Sequence, residues 1–135
     1  MTAIIKKIEK FARNQEVEFA PHPSYQFGTL ALGSYTIIVG DTGNAIEFTA
    51  EVPPDFKSHS LEKLPNELSS ILLRRNQVAH FVRWAIEFGS DSKEYFYCCR
   101  TVLPYNELSE QAFGAIAKSL YLECQFYEKS INSYS

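Results

Sequence analysis

Asp41-Thr42-Gly43, preceded by Ile37-Ile38-Val39, has the residue types and order of a catalytic carboxylate. An aspartate in such a run does chemistry when a second one faces it, so that two carboxylates share one proton. Gly40 stands where an apolar strand residue would precede that aspartate, and no later apolar-apolar-Gly segment completes the arrangement. Asp, Thr, Gly and Asn are also the ordinary residues of a hairpin turn. A turn is therefore the expected role, and a small hydrolase built on Asp41-Thr42-Gly43 is the alternative. The histidines His22, His59 and His80 are far apart, and none sits in an HxxxH or HExxH run. A metal needs at least three convergent ligands, which this spacing does not offer. Ser24 beside His22 is half of a nucleophile–base pair, but no Gly-x-Ser-x-Gly elbow accompanies it. No catalytic residue, metal or cofactor is expected.

Cys98, Cys99 and Cys124 are odd in number and lack ligand spacing. Neighbouring strand residues point to opposite faces, so Cys98 and Cys99 cannot act together. Three reduced thiols are expected, which suits a reducing compartment such as the cytosol; a reactive thiol at Cys98 or Cys99 is the sharper alternative. Neither GxxxxGK[ST] nor GxGxxG occurs. Arg74-Arg75, Arg83 and Arg100 have aromatic neighbours, yet a formal net charge of -3 provides no positive field for nucleic acid. Arg74-Arg75 reads as a solvated helix end.

The elements that must position these residues follow from periodicity. At 135 residues, with 45% hydrophobic and 14% aromatic content, the chain suits one folded domain spanning 1–135. Thr2 can cap a first helix whose Ile4, Ile5, Ile8, Phe11 and Ala12 recur at helical spacing, with Asn14 as its stop. Its lysines and the missing apolar core argue against a signal segment. Glu16–Phe19 alternates, Pro21-His22-Pro23 turns, and Gly28–Val39 is one or two strand pieces around Gly33. The stretch from Phe19 to Gly40 has no charged residue, but its prolines and hydroxyls exclude a membrane helix. Ala45–Val52 alternates as a strand, and Pro53-Pro54-Asp55 stops it. After a polar connection at Lys57–Ser60, a second helix starts at Leu61 or Pro65. Leu64, Leu68, Ile71 and Leu72 form its stripe, and Asn76 is its left-handed end.

Ala79–Phe88 and Glu94–Leu103 then flank the turn Gly89-Ser90-Asp91-Ser92 as two long hairpin strands. In the first, Val78, His80, Val82, Trp84, Ile86 and Phe88 share one face. A last helix, capped by Ser109 or Asn106 and running to about Ser130, buries Phe113, Ile116, Ala117, Leu120, Cys124, Tyr127 and Ile131. Leu122 and Phe126 lie away from that stripe and need a second neighbour, within the chain or on a partner. With Phe81, Tyr95, Tyr97 and Tyr121 they exceed what one helix layer on a sheet hides. A small-ligand regulatory domain would instead line a pocket with Trp84 and the tyrosines.

The helix end Ile71-Leu72-Leu73-Arg74-Arg75-Asn76, the strands Phe81–Ala85 and Glu94–Arg100, and Leu103-Pro104-Tyr105-Asn106-Glu107-Leu108-Ser109 before Phe113 carry a resemblance. The chain resembles the type III secretion chaperone fold, and more closely the YbjN-like proteins that share it. It also resembles small proteins of photosynthetic organisms, which would make assembly of a photosynthetic complex one client process. The match covers the second half well and the first half by element order. It implies an α+β domain, order α-β-β-β-α-β-β-α, with an antiparallel sheet packed with helices. It further implies a non-catalytic domain that often dimerises and holds an apolar client segment of another protein; a homodimer is expected, and the reduced thiols place it in the cytoplasm. By that resemblance Leu68, Leu72, Phe81 and Arg83 are partner contacts, and the apolar excess adds Leu122 and Phe126. Neither nucleic-acid binding nor membrane insertion is expected. The chain is less acidic than secretion chaperones usually are, and a Pro-rich break shortens its first half. A general holding or assembly role fits better than secretion.

Overall fold

A computed structural model describes residues 2–24, 26–51, 66–79, 81–90 and 94–134. The expected strand stop at Pro53-Pro54-Asp55, the polar connection, Leu61, Leu64, Pro65, His59 and His80 lie outside the described residues. The element order is α1 (Ala3–Asn14), β1 (Glu18–Pro21), β2 (Phe27–Leu32), β3 (Tyr35–Asp41), β4 (Ala45–Glu51), α2 (Asn66–Arg75), β5 (Arg83–Gly89), β6 (Glu94–Pro104), a short 3-10 turn (Tyr105–Glu107) and α3 (Glu110–Tyr134). The class is α+β as expected, but four strands precede α2 instead of three. Gly33, at φ 62, turns the chain between β2 and β3 and splits one apolar stretch into a hairpin.

The strands form a six-stranded sheet of order β1-β2-β3-β4-β6-β5, antiparallel at every pairing. β6 spans eleven residues because it serves two neighbours. Its first half pairs β5 and its second half pairs β4. Leu30, Ile37, Val39, Ile46, Phe48, Ala50, Trp84, Tyr97 and Cys99 fill the covered face. The helices lie in one layer on that face. α1 packs beside β1, α2 beside β5, and α3 runs between them over β6. Phe113 at the start of α3 meets Phe11 and Phe48 at ring separations of 6.2 and 6.3 Å. Trp84 stacks on Tyr127 near its other end at 5.7 Å.

The helix ends show why the elements stop where they do. Thr2 accepts the Ile5 N–H at 3.2 Å and caps α1. At the other end Glu16 takes the left-handed conformation at φ 58. Val17 N–H then reaches back to the Ala12 carbonyl at 2.8 Å and Glu16 N–H to that of Arg13, a Schellman closure. This closure moves the first strand two residues beyond its expected start. α2 ends in turns closed on the Leu73, Arg74 and Arg75 carbonyls. Asn76 is not left-handed there, because its amide has other work: it donates to Trp84 O at 3.0 Å and accepts from Trp84 N at 2.6 Å. It thus pairs with the edge of β5 as a neighbouring strand would. The strand expected from Ala79 therefore starts at Arg83, and the described residues among 76–82 form a connector. Ser109 caps α3 through Ala112 N–H at 3.0 Å, and the helix runs past Ser130 to Tyr134.

Candidate protein-binding surface

Exposed apolar side chains occur in the last turn of α2 and in the segment that follows it, and singly elsewhere at Phe88, Val102, Tyr121 and Leu122. Leu73 is 47% exposed, and Val78 and Phe81 in the connector are 59% and 62% exposed. Leu122 on the outer side of α3 is 47% exposed. Exposed apolar residues mark contact surfaces when they form a contiguous patch, whereas single ones need no explanation. Phe81 sits at φ 71, a conformation a bulky residue adopts only under constraint. Part of the constraint is Arg83. Its Nη1 donates to the carbonyls of Val82 at 2.7 Å and Ala79 at 3.2 Å, drawing the connector closed around Phe81.

Behind this surface lies a polar network. Glu123 is 3% exposed and accepts from Arg75 Nε at 3.0 and 3.1 Å and from Trp84 Nε1 at 2.9 Å. Arg75 Nη2 adds a contact at 3.0 Å. The same guanidinium lies 4.6 Å from the centre of the Phe126 ring. One arginine therefore ties α2 to α3 and covers an aromatic that would otherwise face solvent.

The six residues assigned to partner contact divide accordingly. Leu68 and Leu72 are 0% and 1% exposed, so they correct the expectation: α2 spends this stripe on its own chain's core. Arg83 is exposed, with its guanidinium turned to its own connector. Phe126 is half-buried beneath Arg75, so the second neighbour it needed lies within the chain. Phe81 and Leu122 are 62% and 47% exposed. Leu73 and Val78 join them and were missed. Ile71-Leu72-Leu73 holds three successive apolar residues, more than one helical stripe can bury, and that run was the available signal. Arg75 was misread as solvated, because nothing local shows that a glutamate 48 positions later faces it.

The chemical candidates resolve differently. Asp41 ends β3, and its Oδ1 accepts from Gly43 N–H at 3.0 Å and from the Tyr105 hydroxyl. Burial opposes its ionisation, but those bonds and one from Thr2 prevail and hold its pKa below the usual value. The carboxylate serves its own turn. His22 Nδ1 accepts from Ser24 N–H at 3.1 Å, lies 3.0 Å from Ser24 Oγ, and the ring stacks on Phe27. This too is turn geometry. The three cysteines are buried, and none is in a disulfide. Burial, with Glu123 adjacent, pushes the Cys124 thiol up to about 12 and raises Cys99 as well. A reactive thiol at Cys99 is thereby corrected, and full burial of Cys98 removes the access that reactivity needs. Trp84 stacks on Tyr127, Tyr97 meets the same ring edge-on at 6.0 Å, and all three belong to the buried core. Arg100 pairs with Glu47 and Glu87 on the sheet face opposite the helices. Among the described residues no group of three His, Cys, Asp or Glu could hold a metal, and no helix is long and apolar enough to cross a membrane.

Known structures share this architecture. YbjN from E. coli, with a suggested role as a transcription regulator, superposes at a TM-score of 0.66 with 15% identity, over 96% of this chain and 92% of that one. A chain of the HopA1–SchA chaperone–effector complex superposes at 0.61 with 11% identity, over 92% and 91%. No family model matches the chain, and no curated protein matches it by sequence. The fold is thus YbjN-like and type III secretion chaperone-like, as the sequence resemblance implied.

Proposed function

We propose that this chain is a non-catalytic protein-binding domain, a chaperone or assembly factor that holds an apolar segment of a client and works as a homodimer in the cytoplasm. The observation that carries this reading is the exposure of Leu73, Val78 and Phe81 at and just after the end of α2, with Leu122 exposed on α3, where the Arg75–Glu123 pair ties the two helices together. An aromatic anchor such as Phe81, held in place before binding, loses little freedom on binding. The chaperone–effector complex among the structural neighbours supports the same class of work.

The test compares wild type with Phe81→Glu in two measurements. One is crosslinking capture from the native host; the other is light scattering of an aggregating model client. A defined partner set and suppressed aggregation, both lost in Phe81→Glu at unchanged melting temperature, support the reading. Equal capture and equal suppression by both forms would sink it. A small hydrolase would instead lose its activity in Asp41→Asn, a substitution that leaves client holding intact.

A further inference from the structure

The outer face of α1 is a second surface, at the opposite end of the helix layer from the α2 connector. Ile4, Ile5, Ile8 and Ala12 fasten the helix to the core. Lys6, Lys7, Lys10 and Arg13 are all exposed. Lys6, Lys10 and Arg13 follow i, i+4, i+7 spacing, a row about 10 Å long, and Lys7 flanks it. Among the described residues Arg13 pairs with Glu9 at 3.8 Å, and no ion pair forms to Lys6, Lys7 or Lys10. With Glu9 counted, α1 carries +3 of a chain whose total is -3, so the remaining residues sum to -6. The positive charge is concentrated where the sequence as a whole is acidic.

We infer that this α1 face is a docking site for an acidic protein segment, separate from the apolar client surface and not dependent on it. A protein partner is favoured over nucleic acid by what borders the row. Glu16, Glu18 and Glu110 are exposed at its C-terminal end and would repel a continuing phosphate backbone. Phe11, the aromatic residue of α1, is turned toward Phe113, so α1 itself presents no aromatic beside its cations to stack a base. A short run of Asp and Glu matches a short run of cations, and the contrast with the remaining -6 orients its approach.

Fluorescence anisotropy with a labelled Glu-rich peptide, its Gln counterpart and a single-stranded DNA of similar charge tests the assignment. The Glu peptide is expected to bind at least about tenfold tighter than the Gln peptide at low ionic strength, and to weaken as salt rises. Lys6→Glu/Lys10→Glu should abolish the difference. Lys118→Glu/Lys129→Glu, which changes net charge equally but sits on exposed positions of α3, should retain most of it. Lys6→Gln/Lys10→Gln serves as the milder variant, and thermal melts confirm folding of each. Equal binding of the two peptides, equal loss from the α1 and α3 variants, or tighter binding of the DNA would each overturn the assignment.

Discussion

A buried carboxylate persists only where donors surround it, and Glu123 draws them from two elements: the Arg75 guanidinium of α2 and the Trp84 indole of β5. Removing one partner of such a pair leaves the other charge poorly compensated, at a cost of about 3–5 kcal/mol when burial is complete. Arg75 retains 32% side-chain exposure, so the lower end applies to Glu123→Ala. Arg75→Ala strands the more deeply buried charge and should be worse, about 4 kcal/mol. Urea titrations of both single variants and the double variant measure this, and a double variant no worse than Arg75→Ala is expected. The thiols give a prediction of opposite chemistry. Cys124 ionises near 9.0 when unfolded and at about 12 when folded. A raised folded pKa means its stability contribution is complete below pH 9 and is lost as pH climbs from about 9 to 12. Tyr35, raised to about 12 chiefly by its hydrogen bond to Glu128, acts in the same direction. Denaturation midpoints should fall between neutral pH and about pH 10.5, with a flatter slope in Cys124→Ala.

At the scale of elements, the β3–β4 turn and the α2–β5 connector behave differently under substitution. Asp41→Asn keeps an acceptor for Gly43 N–H and Tyr105, so it should cost at most about 1 kcal/mol at neutral pH. Because the folded carboxyl has a lowered pKa, its contribution is present above the usual carboxylate range and disappears as pH falls through the folded pKa. The wild type should therefore lose its advantage over Asp41→Asn in acid, as read from denaturation midpoints on either side of pH ~4. In the connector, Phe81→Gly relieves a left-handed backbone and should raise stability by about 1 kcal/mol while removing the anchor. A higher melting temperature with weaker client holding would separate the two roles of this residue. Lower stability would show that the ring packs structurally instead.

At the scale of the molecule, helices cover one face of a six-stranded sheet, and β1 and β5 are its edges. Asn76 occupies the outer groups of Trp84, which shortens the β5 edge open to pairing. A dimer built on the α2 connector would have two-fold symmetry, with the same apolar residues on both subunits. Sedimentation across a concentration series should then show a monomer–dimer equilibrium for wild type, shifted to monomer in Leu122→Glu. A monomer at every concentration for both would remove the homodimer from the proposal and leave client binding to be judged alone.

Periodicity and turn chemistry were enough to locate the helices, most of the strands, the Thr2 and Ser109 caps and the α3 stripe from Phe113 to Tyr127. These depend on residues a few positions apart, whose spacing is written along the chain. The turn role of Asp41 was legible for the same reason. Which apolar stripe stays open was not, because Leu68 and Leu122 are equally apolar as letters and differ only in what packs on them. Nor were the Arg75–Glu123–Trp84 network, the Asn76 pairing with Trp84 or the left-handed Phe81 visible. They arise when α2, β5 and α3 meet. In that meeting, burial, donors and backbone direction are set by neighbours distant in sequence, and only the tertiary structure brings them together.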